Sequence, residues 1–160
     1  MASEDDASAG PSPGAVRLVP GGGTAIANPV GATVKLRGSE TGGTFGACEG
    51  EGPPLHLHVG YDEVWYALEG DFRFRLEDEA WPGPPGSFVF IPRGVRHTWQ
   101  NVGDSLGRFL FVVAPAGFEL FFEPFAEAPP DVPWLERFET AGRELGMEVV
   151  APPLAESHPR

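Results

Sequence analysis

The chain has 160 residues, a formal net charge of −12, a single lysine and one cysteine. This acidic balance argues against nucleic acid and against an anionic membrane surface as partners, because both require basic patches. One cysteine cannot form an intramolecular disulfide, and the sequence contains neither a stretch of about 20 apolar residues nor a charged and then apolar signal region. We therefore expect a single domain, located in the cytoplasm, that binds a small molecule.

The N-terminal part predicts a tail followed by short strands. Residues 1–14 are acidic, small and turn-forming, so we expect a disordered acidic tail there. Apolar patterns separated by glycine-rich turns then predict strands over residues 15–19, 33–36 and 44–48. These strands would build one side of a barrel domain that spans residues 15–150.

Three of the four histidines fall into one proposed metal site. His56 and His58 are two residues apart, so in a strand both imidazoles project from the same face. Turn-forming residues at 60–62 lead into a returning strand over 63–68. Its first residue, Glu63, would bring a carboxylate back beside the histidine pair. The fourth histidine, His158, lies in the C-terminal segment.

Further strands follow, and one of them completes the site. Apolar residues that alternate with charged ones, and two mostly apolar runs, predict strands over residues 72–77, 87–91 and 108–113. Between the last two, alternation over 96–100 places His97 and Trp99 on one face of a strand. His97 would therefore close the metal site from a strand distant in sequence.

The pattern becomes helical after residue 114. A short helix packed on the barrel is predicted by phenylalanines at i, i+3, i+4 and i+7, namely Phe118, Phe121, Phe122 and Phe125. A second helix is expected to be capped by Asp131, with Pro133 in its first turn, and to end at Gly146. We expect an edge strand over 147–150 and a frayed tail over 151–160.

The two histidine segments resemble the cupin superfamily. The first motif of that family combines a glycine, His-x-His, a glutamate and a second glycine at fixed spacing; the matching residues are Gly50, His56, His58, Glu63 and Gly70. The second motif combines a glycine, Pro-x-Gly, a histidine and an asparagine; the matching residues are Gly86, Pro92, Gly94, His97 and Asn101. Every position matches. The resemblance implies an all-β fold: a single-domain jelly-roll β-barrel of antiparallel strands, here with short C-terminal helices.

The resemblance also implies that His56, His58, Glu63 and His97 are metal ligands. Three imidazoles and one carboxylate suit one divalent transition metal ion, such as Fe, Mn, Ni, Co, Cu or Zn, because Ca and Mg prefer shells of oxygen ligands. In an octahedral arrangement, four protein ligands leave two adjacent positions for a substrate, water or dioxygen. We therefore expect a catalytic site rather than a sealed structural one.

Within the superfamily, the chain looks like the small quercetin dioxygenase-like cupins. In such enzymes an enol, an enediol or an aromatic substrate chelates the metal and is activated toward dioxygen, and Glu63 would also be the general base. Two alternatives stay open. One is a non-oxidative cyclase, isomerase or decarboxylase that uses the metal as a Lewis acid, and the other is a small-molecule-binding cupin without catalytic activity.

Other features have a structural interpretation beside the functional one. Trp65 and Trp99 share the parity of Glu63 and His97, so both could line the substrate pocket or simply pack in the scaffold. Cys48 could be a soft metal ligand, but a buried core cysteine is the favoured interpretation. The phenylalanine stripe could form a lid, and core packing is again favoured.

The oligomeric state follows from the barrel resemblance. A barrel of this type leaves exposed edge strands, which readily pair with another chain. Small cupins commonly pair in this way. We therefore expect a homodimer.

Overall fold

The computed structural model describes residues 14–26, 32–49, 53–104 and 107–151. The tails predicted over 1–14 and 151–160 fall outside these residues except for Gly14 and Ala151. The boundaries of the predicted domain, 15–150, therefore stay a prediction.

Short strands dominate the described residues. In chain order they are β1 (Thr24–Ala25), β2 (Thr33–Leu36), β3 (Gly46–Glu49), β4 (Leu55–His58), β5 (Asp62–Glu69), β6 (Phe72–Leu76), β7 (Glu79–Gly83), β8 (Phe88–Ile91), β9 (His97–Asn101), β10 (Arg108–Ala114) and β11 (Met147–Ala151). A 3-10 turn over Gly38–Glu40 separates β2 from β3.

The strands form two antiparallel sheets. One has six strands in the order β1-β2-β3-β10-β5-β8, and the other has five in the order β11-β4-β9-β6-β7. Most spatial neighbours are therefore distant in sequence, and every described pairing is antiparallel. The prediction of an all-β jelly-roll barrel is confirmed.

The core lies between the two sheets and is rich in aromatic residues. Alternation along β5, β6, β9 and β10 turns every second side chain inward, and the inward set includes Trp65, Phe72, Phe74, Trp99 and Phe109. Trp99 stacks on Phe109 with 4.3 Å between the ring centroids, and Phe72 stacks on Phe74. This packing holds β9, the strand that carries His97, against β10.

Two helices follow β10 in the chain. The phenylalanine stripe begins with a 3-10 turn over Phe118–Phe121 and continues as α1 (Phe122–Glu127). Helix α2 (Trp134–Arg143) then leads into β11, which pairs with β4 beside the histidines. Within the described part of the chain, no helix is long and apolar enough to cross a membrane.

Several details of the sequence prediction are wrong. Residues 15–19 are exposed and belong to neither sheet; Val16 and Leu18 lie beside residues of β1 and β2 without forming a strand pairing. Helix α2 is preceded by Pro133 as its N-cap rather than by a capping Asp131. The sequence analysis did not predict β7, because its sequence, EAWPG, lacks the alternation of apolar and polar residues that indicates a strand. It forms because the chain turns back after β6 and pairs with it.

Candidate metal centre

The candidate ligands come from three strands on both sheets. His56 and His58 lie on β4 and His97 lies on β9, which are neighbours in the five-stranded sheet. His56 is directly opposite His97 in the register of these two strands. Glu63 comes from β5 in the other sheet, where it is opposite Ile91 and Val113. The site therefore lies in the barrel interior, between the sheets.

The structure brings all four predicted ligands together. One donor atom from each of His56, His58, Glu63 and His97 lies within 4.8 Å of the other three, and all four side chains are buried. The Oε2 atom of Glu63 is 3.2 Å from Nε2 of His58 and 3.2 Å from Nε2 of His97. The carboxylate therefore faces the imidazoles through a single oxygen.

Backbone carbonyls set the orientation of two of the imidazoles. Nδ1 of His56 lies 2.8 Å from the carbonyl oxygen of Pro54, and Nδ1 of His97 lies 2.8 Å from that of Val95. A carbonyl oxygen only accepts, so Nδ1 carries the proton in both rings. The lone pair is left on Nε2, the atom turned toward the cluster. Orientation of this kind is typical of metal-binding histidines.

The unsatisfied polar atoms of the cluster fit a cation. Nε2 of His58, Nε2 of His97 and Oε2 of Glu63 are buried and have no hydrogen-bond partner among the described residues. Glu63 Oε2 lies 3.2 Å from each of the two imidazole nitrogens. Unsatisfied buried polar atoms are costly, and a divalent transition metal would satisfy all three at once. Nitrogen and carboxylate donors in this ratio suit such an ion.

The pKa values of His56 and Glu63 are both lowered. Burial lowers the pKa of His56 well below its usual value, and the nearby imidazoles of His97 and His58 lower it further. Burial alone would raise the pKa of Glu63, but the approach of His58 and His97 outweighs that effect and holds its pKa below the usual value. A neutral imidazole and an ionised carboxylate are the forms that bind metal.

The two tryptophans predicted for the substrate pocket occupy different places. Trp99 lines a cavity that begins at the cluster. Trp65 is fully buried and is not among the residues that line this cavity. Its indole Nε1 instead donates a 2.6 Å hydrogen bond to Oε1 of Glu63. Parity along β5 predicted that Trp65 and Glu63 share a face, but it did not predict this hydrogen bond.

The cavity above the cluster has an apolar wall. Its polar lining comes from the cluster itself, through His56, His58 and Glu63. The remaining lining residues are Pro53, Trp99, Phe111, Phe118, Phe121, Phe122 and Phe138. The space open to the centre of a water molecule is about 40 Å³, whereas one water requires about 10–15 Å³ on this measure. A small ligand can therefore enter, held by the cluster at one end and by aromatic rings around it.

The phenylalanine stripe is divided between the cavity wall and the buried core. Phe118, Phe121 and Phe122 line the cavity, and Phe118 meets the ring of His58 edge-on with 4.7 Å between centroids. Phe125 is fully buried away from the cavity lining and packs on Phe121. Cys48 is also buried and lies outside the four-residue cluster. Burial and the nearby carboxylates of Glu119 and Glu63 raise the pKa of its thiol, as expected of a core cysteine rather than a ligand.

Glu119 is a buried carboxylate that the sequence analysis did not single out, and it anchors the turn that carries Phe118. Glu119 follows Phe118 in the 3-10 turn and accepts hydrogen bonds from the backbone N–H of Gly38, at 2.5 Å, and of Gly117, at 2.8 Å. Gly46 provides room, since a Cβ at that position would lie 2.6 Å from Oε2 of Glu119. Glu119 therefore joins the loop after β2 to the turn that carries Phe118.

Comparison with known proteins agrees with this geometry. Residues 48–113 match the family model described as a cupin domain, a segment that contains all four residues of the cluster. The match supports membership of the cupin superfamily. The cupin segment runs from β3 to β10 and leaves the C-terminal helices outside.

Two curated relatives match a segment of the same length. Protein SchB of Streptomyces halstedii is 35% identical over 66 residues, which cover 41% of this chain and 48% of SchB. A protein named polyketide synthase CurC, from Streptomyces cyaneus, is 33% identical over 66 residues, which cover 41% of this chain and 43% of that protein. The matched part is thus less than half the length of either relative.

One solved structure supports the fold. KdgF from a Halomonas species superposes with a TM-score of 0.51 and 16% identity, over 56% of this chain and 82% of that one. At this identity the similarity concerns the cupin fold alone.

Proposed function

We propose that this cupin is a metal-dependent enzyme, a dioxygenase or other oxidoreductase that acts on a small metal-chelating substrate of enol or aromatic, polyketide-like type. The observation that carries the proposal is the buried cluster of His56, His58, Glu63 and His97 at the end of an aromatic cavity. The resemblance to quercetin dioxygenase-like cupins supports the oxidative chemistry. The name of the relative CurC supports a polyketide-like substrate.

The residues of the site have three proposed roles: metal ligand, support of the imidazoles, and general base. His56, His58, His97 and Glu63 would hold the ion, which supplies a Lewis acid for a chelating substrate oxygen. The carbonyls of Pro54 and Val95 keep two of the imidazoles oriented. By the resemblance, Glu63 is also the general base: Oε2, which faces the imidazoles, would take a proton from a substrate hydroxyl when it moves off the ion.

The aromatic cavity walls favour an apolar substrate over a polar one. Aromatic side chains offer rings for packing and few hydrogen-bonding groups, so a sugar or another polyol would leave its hydroxyls unsatisfied there. A flat apolar molecule with two neighbouring oxygens at one edge would bind the ion through these oxygens and pack its apolar part against the aromatic rings. A bound ligand would displace water from the reacting end.

Elemental analysis tests the metal first. Protein purified without added metal, and then reconstituted, should hold about one equivalent of a transition metal. The His56→Ala, His58→Ala double variant should lose it. A wild-type protein that stays empty after reconstitution would remove the enzyme proposal and leave a metal-free binding barrel.

Oxygen uptake then separates the reaction classes. Metal-loaded protein should consume dioxygen when it receives flavonol or enol substrates. Substrate conversion without oxygen uptake would instead indicate a non-oxidative cyclase, isomerase or decarboxylase. Binding without turnover would indicate a ligand-binding cupin. A cytoplasmic location stays a prediction from the sequence.

A second copy of the chain is the proposed partner, and an apolar face on the six-stranded sheet supports it. The register places Phe90, Val64 and Val112 in one row across three strands, and Phe88, Tyr66 and Leu110 in the next. All six residues are uncharged in a chain of net charge −12. Phe88 is 65% exposed, Phe90 57% and Tyr66 39%.

The size of this face suits the centre of a dimer interface. An aromatic side chain offers about 150–250 Å², so the three aromatic residues together expose on the order of 300 Å². A stable interface covers about 800 Å² on each partner, and the neighbouring aliphatic residues and a polar rim would supply the rest. A patch without charge has no like-charge repulsion when it meets its own copy across a two-fold axis.

A further inference from the structure

The two oxygens of the Glu63 carboxylate lie in different surroundings. Oε1 accepts the 2.6 Å hydrogen bond from the indole of Trp65. Oε2 faces Nε2 of His58 and Nε2 of His97 and accepts no hydrogen bond from a described residue. One oxygen is therefore committed to the protein, and the other is free for a ligand.

The indole that makes this contact cannot easily move. Trp65 is fully buried, and its ring packs on Phe74 at 5.3 Å, on His97 at 5.5 Å and on Phe109 at 5.6 Å between centroids. Its strand, β5, is paired with β10 on one side and with β8 on the other. The N–H is thus held in place by the barrel, while Glu63 has a flexible side chain.

We propose that Trp65 is a positioning residue for the metal: its N–H holds Oε1 of Glu63, so that Glu63 binds the ion through Oε2 alone. The inference rests on the proposed metal site and goes further by assigning the binding mode of its carboxylate. An indole N–H only donates, so it also favours the ionised carboxylate and cannot itself take up a proton.

The structural alternative is that the contact merely satisfies a buried indole N–H, which normally has a partner. The two interpretations differ in what they require of the metal. If the contact serves only the tryptophan, its loss should change the stability of the barrel without changing metal affinity selectively. If it positions Glu63, metal affinity should fall by more than the loss of packing explains.

Zn²⁺ affinity of matched variants tests the proposal. Trp65→Phe removes the donor and keeps a ring, whereas Phe74→Leu removes packing from the same indole and keeps the hydrogen bond. Competition with a chelating dye should show that Trp65→Phe binds Zn²⁺ about 10–100-fold more weakly than wild type, as is usual when a hydrogen-bond partner of a ligand is lost. Phe74→Leu should stay within about threefold of wild type. Equal affinity in wild type and Trp65→Phe would overturn the proposal.

A measurement on the wild-type protein keeps the test decisive if Trp65→Phe does not fold. A cation at Oε2 withdraws charge from Oε1, so the indole ¹H–¹⁵N resonance of Trp65 should move upfield when Zn²⁺ saturates the protein. An unchanged resonance in the saturated protein would overturn the positioning role. Failure of wild type to bind Zn²⁺ at all would overturn the proposed function instead, so the two failures are distinguishable.

Discussion

His56 lies directly opposite His97 on neighbouring strands, and their ring centroids are only 4.3 Å apart. Each ring is oriented by a backbone carbonyl at its Nδ1 atom, and both are buried. Both rings belong to the four-residue cluster that we propose holds one metal ion. Removing either ring should therefore disable the whole site.

Zn²⁺ should stabilise the wild-type protein and fail to stabilise His97→Ala. A ligand that binds only the folded state contributes about 2.7 kcal/mol at 100 times its Kd. Thermal unfolding with and without Zn²⁺ measures this as a rise in Tm. His158→Ala changes the histidine of the C-terminal segment and is the control, which should keep the full rise. A Zn²⁺-dependent rise retained in His97→Ala would contradict the site.

The aromatic wall should make the site prefer aromatic chelators. Benzohydroxamate and acetohydroxamate share a chelating group, but only the first can pack a ring against Phe118. In the Zn²⁺-loaded protein, benzohydroxamate should bind at least about tenfold more tightly, because burial of its ring contributes roughly 1.4 kcal/mol or more. Calorimetric titration measures both constants.

Two phenylalanine variants test where that preference arises. Phe118→Leu removes a ring that lines the cavity, and Phe125→Leu removes a buried ring that stacks on Phe121 and does not line the cavity. Both should lower stability, by roughly 0.5–3 kcal/mol. Only Phe118→Leu should reduce the preference for benzohydroxamate. An equal reduction in Phe125→Leu would mean that the wall does not select the ligand.

Gly46→Ala should destabilise the protein by crowding Glu119. The added Cβ would lie 2.6 Å from Oε2 of that buried carboxylate, which cannot move without losing its bonds to Gly38 and Gly117. Overpacking of this kind costs about 1–3 kcal/mol. Urea unfolding measures the change. Gly60→Ala is the control: its Cβ would meet nothing within 4 Å, so its stability should stay the same or rise slightly.

Glu77 should contribute a pH-dependent part of the stability. Its carboxylate accepts bonds from the backbone N–H of Arg96 at 2.8 Å and from the Arg96 guanidinium at 2.5 Å, and these bonds lower its pKa. A lowered pKa means that the contribution is present above the usual glutamate range and is lost as pH falls through the lowered value.

Glu77→Gln should therefore be less stable than wild type at pH 7, by at most about 1 kcal/mol because the pair is near the surface. The difference should shrink at pH 3. Urea unfolding at the two pH values gives the comparison, and Glu79→Gln, on the adjacent strand, is the control that should show little difference at either pH. A Glu77→Gln deficit that grows toward acid pH would contradict this assignment.

The apolar face on the six-stranded sheet predicts a dimer that a charge can break. Light scattering coupled to size exclusion should give a dimeric mass for wild type and a monomeric mass for Phe88→Lys, Phe90→Lys. Leu120→Lys changes an equally exposed residue outside this face and should remain dimeric. A monomeric wild type would contradict the dimer, and a dimeric double variant would contradict the choice of face.

Local patterns predicted the ligand strands well, because strand geometry depends on nearest neighbours in sequence. His56 and His58 share a face through simple alternation, and β5 begins at Asp62, one residue earlier than the turn signal predicted. The segment 15–19 has a comparable apolar pattern but forms no strand. A strand also requires hydrogen-bond pairing with a neighbour, and residues 15–19 pair with none of the described strands.

The sequence by itself determined the ligand types, their spacing and the class of metal they suit, because these depend on residue chemistry and on the two-residue period of a strand. The tertiary structure decided which other groups reach the site. Phe138 arrives from α2 to line the cavity, and the indole of Trp65 meets Oε1 of Glu63 rather than a substrate. Such contacts depend on how sheets and helices pack across large sequence separations, and no local pattern encodes those distances.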